Sequence, residues 1–260
     1  MLELYHWEPN TYYLKPLIAL HEKKAGFASR WLDATSFEQL AHGIPRNTES
    51  TLQLEREGPV LVSEGAVVSG SYFLIEYINE TVPGVDLCPG AAFQHYEQRA
   101  WGQVLGALGS GVSALGCAKY LAPVLRSRDQ AQLRAKVDRI EPLERRQTWL
   151  AVIDGTYTDE KLAAIRARLK VPLRRIEDTL KRTYWLAGSD YSLADIDAFS
   201  FLNALPGLAP DVLNAKEYPR TMEFVERMRG RDAVKAALAM SRSGKPQEAF
   251  VPGQEASRWG

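Results

Sequence analysis

The sequence predicts a mixed α/β unit followed by an all-helical one, and three stretches carry that expectation. Residues 60–62 and 66–68 are short apolar runs on either side of Ser63-Glu64-Gly65, a hairpin signal with Gly available for positive φ. The period then changes, because Leu74, Ile75 and Ile78 fall at helical spacing until Pro83-Gly84 stops the run. Beyond Ala91 the apolar residues keep to helical periods almost throughout, and Ser192-Leu-Ala-Asp195 has the spacing of a capping box before an apolar helix.

In chain order, residues 2–7 alternate like a first strand and Glu8-Pro9-Asn10-Thr11 is turn chemistry. A helix starts near Tyr13, with Leu14, Leu17, Ile18 and His21 on one face and Ala25-Gly26 closing it. Residues 27–32 read as a second strand. Residues 35–43 start like a helix, and 44–54 are too polar and irregular to assign. With the hairpin and its helix this gives the order βαβα-ββα over residues 1–84. Residues 85–89 form a linker, and 91–260 the helical unit.

Within the helical unit, 96–108 is one long amphipathic run. Gly102, Gly106, Gly109, Gly111 and Gly116 punctuate this stretch and the next, serving either close helix packing or a subunit contact or cleft wall. Residues 126–146 read as a solvated helix face, 147–156 as a loop insertion and 160–183 as another amphipathic helix. After Met240 periodicity is lost, so the tail is expected to drape over the surface or to be mobile.

Composition narrows the function classes. A chain of 260 residues with 32 basic and 32 acidic side chains carries no charge excess that would point to nucleic acid or an anionic membrane. Apolar runs are short of spanning length, so no membrane role is expected. Cys88 and Cys117 lie far apart and read as inert reduced thiols of a cytoplasmic protein. His6, His21, His42 and His95 lack metal-ligand spacing, so no metal site is expected.

Pro59 at a strand start, then a hairpin, then a helix beginning at Ser71 resembles the glutathione-binding half of a glutathione S-transferase. Ser71 is expected at the N-cap, where free N–H groups and the helix dipole suit a carboxylate or phosphate. The run from Tyr184-Trp-Leu-Ala-Gly to Asp195 is similar to the capping-box segment of the same family. The resemblance implies a thioredoxin-like N-terminal domain (1–84), an all-helical C-terminal domain (91–260) and a cis peptide bond before Pro59. Tyr12-Tyr13-Leu14-Lys15-Pro16, Phe37-Glu38-Gln39, 184–186, 191–196 and the region of Trp149 resemble bacterial glutathione-dependent β-aryl etherases, which act on lignin-derived aromatics.

Carried onto this chain, the family's glutathione-binding positions are Gly58, Pro59, Gly70 and Ser71. Gly58 stands where the family has Val, Gly70 where it has Glu, and Gln53-Leu54-Glu55-Arg56 replaces an Asn-Pro-x-Gly lead-in. The missing Glu removes an acceptor for the ligand's ammonium, roughly 1.5–3 kcal/mol, or about one to two decades of affinity. Thiolate chemistry needs a donor near the start of the first helix. Tyr12 and Tyr13 replace the etherases' Asn-Ser pair there. Either Tyr13, Tyr12 or the nearby Tyr5 serves the thiol, or these rings fill the cleft and domain interface.

The resemblance implies glutathione as cosubstrate of the assembled enzyme, a small aromatic ether as substrate, and a dimer with itself or with a paralogous subunit. Three readings stay open. The chain is a β-etherase subunit whose partner carries the better glutathione site, an active homodimer using a tyrosine, or a non-enzymatic binding module.

Overall fold

Strand β1 (Leu2–His6) takes the centre of a four-stranded sheet ordered β2-β1-β3-β4. Its partner β2 (Phe27–Trp31) runs parallel after the crossover helix α1 (Thr11–Glu22), with Leu2 opposite Phe27 and His6 opposite Trp31. On the other side β3 (Val60–Ser63) runs antiparallel, pairing Tyr5 with Val60, and β4 (Ala66–Ser69) closes the edge with Ser69 opposite Val60. Glu64 and Gly65, at φ 51° and 91°, turn the hairpin as a two-residue loop with both central residues at positive φ, matching the strand twist. Helix α2 (Ser71–Thr81) follows and packs on α1. The structure, a computed structural model, describes residues 2–40, 58–88, 90–140 and 143–253.

The helical part opens with α3 (Ala92–Gly116), continues through a π-helical turn at Cys117–Leu121 into α4 (Ala122–Arg126), then α5 (Gln130–Val137). Ala92–Arg126 is long and apolar enough to cross a membrane, but 56% of its most apolar window is buried inside the fold. Helices α6 (Leu143–Ile153) and α7 (Asp159–Leu180) lead to α8 (Leu193–Leu202), which is buried at all ten positions. A helix buried on every side belongs in the middle of a core, and α8 contacts α1, α2, α3 and α10 while its buried Asp195 and Asp197 find polar partners there. The short α9 (Leu205–Leu208), then α10 (Pro219–Gly230) and α11 (Asp232–Ala239), complete the order.

Asp195 organises the α8 start: it accepts from the Ser192 N–H at 2.9 Å, the Ser192 hydroxyl at 3.2 Å and the Leu186 N–H at 2.9 Å. Burial pushes its carboxyl up to about 7, against those donors, which pull it down.

Several expectations need correction. The Gly58–Pro59 bond is trans, as no cis bond occurs among the described residues; trans is the lower-energy isomer even before proline. Ser71 is the first helical residue, and the N-cap is Gly70. Residues 147–156 are mostly helix α6, because Trp149, Val152 and Ile153 form a buried helical stripe, with Trp149 tilted against Phe37 at 4.5 Å. The segment from 35 holds two short 3-10 turns, Ala34–Ser36 and Glu38–Leu40. The irregular stretch and the Gln53–Arg56 replacement lie outside the described residues. Gly109 and Gly111 admit the Phe201 ring and the Leu169 side chain, so close packing within the chain explains both.

Candidate functional site

Strand register brings the expected binding positions to one edge. Val60 pairs with both Tyr5 and Ser69, so Gly58-Pro59, just before Val60, and Gly70-Ser71, just after Ser69, emerge side by side there. That edge is also the C-terminal end of β1, where Trp7 and the loop to α1 begin. The first turns of α1 and α2 thus flank one region, and Gly58, Pro59 and Ser71 are buried in it.

Gly70 sits at φ 89°, ψ 114°, a conformation that side-chain-bearing residues rarely adopt, and an added Cβ would meet the Phe73 ring at 3.3 Å. Glycine here is a backbone requirement of the α2 entry. Ser71 Oγ accepts from the Lys15 ammonium at 3.2 Å. Lys15 is fully buried, 2.7 Å from Asp197 Oδ1 of α8 and 4.3 Å above the Phe201 ring. One lysine therefore ties the α2 start, α1 and the helical core together. Sequence reasoning reaches Lys15 only through a family resemblance, since a lysine ordinarily reads as exposed.

Both tyrosines of the pair are buried. The Tyr12 hydroxyl accepts from Ser113 at 3.0 Å, and its ring stands edge-on to Phe201 at 5.4 Å. Tyr13 stands edge-on to Trp7 at 6.3 Å. Tyr5 lies within β1, opposite Val60 and Arg30. Two residues that had read as turn chemistry also face this region. Thr11, β-branched and buried, begins α1 at φ 43°, and such outliers concentrate at functional sites. Asn10 donates to Ala249 O at 2.9 Å, while its buried Oδ1 has no hydrogen-bond partner among the described residues.

Next to this edge lies a cleft of about 460 Å³, lined by Trp7 and Trp31 at the ends of β1 and β2, Tyr120 of the π-helical turn, and Phe250. Such a volume suits a small ligand. Phe250 stacks on Tyr120 with ring centroids 6.0 Å apart and planes 5° apart. Arg242 lies 4.6 Å over the Trp31 ring. Asp33 is held ionised, below its usual range: burial raises it, but the Ser36 and Thr35 hydroxyls and backbone N–H groups outweigh that. Burial raises the thiols of Cys117 and Cys88, so neither is an activated nucleophile.

A small mixed sheet with two helix starts converging on one edge, backed by a helical part built on a capped, buried α8, is the glutathione S-transferase fold. Residues 131–232 match the family model of the glutathione S-transferase C-terminal domain. The chain is 27% identical over 248 residues to the protein LigF of Sphingobium sp. strain SYK-6, covering 93% of this chain and 94% of that protein. The crystal structure of beta-etherase LigF from that strain superposes with a TM-score of 0.83 at 26% identity, over 92% of this chain and 99% of the other. A glutathione transferase from Populus trichocarpa shares the fold at TM-score 0.69 and 19% identity, over 92% and 98% of the two chains. A glutathione S-transferase from Methylobacillus flagellatus with glutathione bound does so at 0.63 and 18%, over 91% and 98%.

Proposed function

We propose that this chain is a subunit of a glutathione-dependent β-etherase acting in the cytoplasm on lignin-derived aromatic β-aryl ethers, with catalysis carried mainly by a paralogous partner. The likeness to the β-etherase LigF along almost the whole chain carries the reading. In the reaction a glutathione thiolate attacks the ether carbon. A C–S bond forms, the C–O bond breaks, and the electron pair leaves with the phenolate. The aromatic cleft at Trp7, Trp31, Tyr120 and Phe250 suits the aryl group, and the edge at Gly58, Pro59, Gly70 and Ser71 suits glutathione.

Two features support assigning the better glutathione site to a partner. The Gly70 backbone geometry disfavours the family's acidic side chain, and Tyr12 spends its hydroxyl on Ser113 beneath the chain's own tail. A dimer surface is available where Glu76 of α2 and Arg99 of α3 approach to 3.9 Å, because Phe73 and Tyr96, one turn before each, are exposed. In this proposal 1–84 and 91–260 are the two domains, Tyr13 and Tyr12 wall the site, and a small aromatic ether is the substrate.

The test is release of the phenol from a β-aryl ether model compound with glutathione, by the chain alone and after mixing with candidate paralogous subunits. Activity only in the mixture supports the proposal. Full activity of the chain alone selects the homodimer using a tyrosine, and no activity in any assembly favours a binding module.

A further inference from the structure

The tail after α11 returns across the cleft. Glu8, buried in the loop between β1 and α1, takes four donors from it: the Ser241 hydroxyl at 2.6 Å, the Arg242 and Ser243 N–H groups at 3.0 Å, and the Ser243 hydroxyl at 3.0 Å. Gly244 at φ 71° then turns the chain outward through the exposed residues 244–245. A second anchor follows, where Asn10 donates to Ala249 O at 2.9 Å. Arg145 of α6 makes the third, donating to Pro252 O at 3.1 Å and to Gly253 O. Between these anchors Phe250 is seated against Gly116, which has no room for a side chain, and Gly253 lies so close to the Tyr12 hydroxyl that a side chain there would collide.

We propose that residues 241–253 are a strap that closes the α1 start in its resting state, with Glu8 as its latch. The inference rests on reading the cleft and its neighbouring edge as the ligand site. Arg242, Ser243, Lys245, Glu248, Ala249 and Phe250 supply much of the cleft wall, so its shape depends on where the strap lies. Beneath the strap are the Tyr12 hydroxyl and the Asn10 amide, at the helix start where a thiol must arrive. A single 3-10 turn, Pro246–Glu248, is its only regular structure; polar bonds hold its ends, and Phe250 and Val251 are buried in its middle. Opening of the strap would be a local event that exposes those two side chains while the strands and helices stay in place. Release would free the Asn10 amide, uncover the Tyr12 hydroxyl, which keeps its bond to Ser113, and widen the cleft. A latched chain presents a blocked helix start even though the scaffold around it is intact.

The test uses the full-length chain, the Ser241→Ala/Ser243→Ala double variant, Glu8→Gln, and a chain ending at Met240. Amide hydrogen exchange reads the latch: residues 242 and 243 are protected in the wild type. They exchange at least about tenfold faster in the double variant, the scale set by removing two hydrogen bonds. Stopped-flow association of 8-anilino-1-naphthalenesulfonate reads access to the cleft without relying on turnover. Faster association or tighter binding in the double variant and the shortened chain, with glutathione titration moving in the same direction, supports the strap. Unprotected amides in the wild type, or released amides with unchanged dye and glutathione binding, overturn it. Because Glu8→Gln leaves a buried amide, the double variant, which leaves Glu8 in place, decides if Glu8→Gln fails to fold. Dye entry that responds to the latch while no assembly cleaves ether would leave the strap standing and remove the etherase reading.

Discussion

Lys15 on α1 and Asp197 on α8 form an ion pair at 2.7 Å with both side chains wholly buried. The Lys15 ammonium also reaches Ser71 Oγ and lies over the Phe201 ring, so its desolvation is offset by a carboxylate, a hydroxyl and a π face. Removing one partner leaves the other charge buried without its main counter-charge. Lys15→Met should therefore cost about 3–5 kcal/mol in urea unfolding. Lys15→Met/Asp197→Leu should recover much of that loss, because matched apolar groups often replace a buried pair at little cost. A single-variant loss below about 1 kcal/mol, the value of an exposed pair, would contradict this account.

Gly70 bears on repair of the proposed glutathione site. The sequence alone suggests that Gly70→Glu, by restoring the family's acidic residue, should strengthen binding. The structure reverses that expectation. At φ 89° a non-glycine residue is strained, a cost on the order of 1–3 kcal/mol, and the new Cβ crowds Phe73. Gly70→Glu should lower the melting temperature without improving glutathione affinity by calorimetric titration. Gly70→Ala should show a similar thermal loss, which assigns the effect to the backbone. Tight binding by Gly70→Glu at unchanged stability would restore the simpler view.

His6 links the sheet to acid stability. Its Nδ1 lies 2.7 Å from Trp7 O and its Nε2 2.7 Å from Ser29 Oγ, a pattern that suits a neutral ring donating from Nδ1 and accepting from the serine. Burial lowers its pKa below the usual value; Arg242 adds to that, while the Trp7 hydrogen bond and Glu8 oppose it. Below about pH 6.5 the unfolded chain therefore binds a proton that the native ring refuses, and stability falls as pH drops. Asp195, raised to about 7, acts in the opposite direction, losing stability as pH rises from about 4 to 7. It is common to wild type and variant, so it cancels in their difference. His6→Gln should lose less stability than wild type between about pH 7.5 and about pH 5.5 in urea unfolding. Parallel losses would remove His6 as a contributor.

What the sequence revealed follows physical lines. The β1 strand, the hairpin and α2 were legible because their apolar periods are local, and α8 because Ser192 and Asp195 mark its start. Helix α6 was hidden because its buried stripe of Trp149, Val152 and Ile153 runs straight into Thr156 and the Gly155 turn at φ 65°. The convergence of Gly58, Pro59, Gly70 and Ser71 followed from the family likeness, and strand register supplies its physical basis. Lys15 and the tail were illegible for one reason. The partners that decide them, Asp197 for the lysine and Glu8, Asn10 and Arg145 for the tail, are distant in sequence, and neither feature has a period.

Assembly supplies the final prediction. Phe93 and Tyr96 at the start of α3 pair at 5.9 Å, and with Phe73 of α2 they leave three large rings exposed on adjoining helices. Exposed rings grouped in this way mark an interaction surface more often than scattered ones do. A stable dimer needs about 1,200–2,000 Å² in all, so the interface would extend from the α2–α3 flank along the groove between α3 and α7 that Tyr96, Trp101 and Arg175 line. The chain should sediment as a dimer at micromolar concentration. Phe73→Asp/Tyr96→Asp should shift it to monomer while the far-ultraviolet spectrum stays native, because both side chains face solvent within the chain. If the double variant remains dimeric, the interface lies elsewhere. A wild-type monomer would remove the partner surface on which the proposed division of catalysis depends.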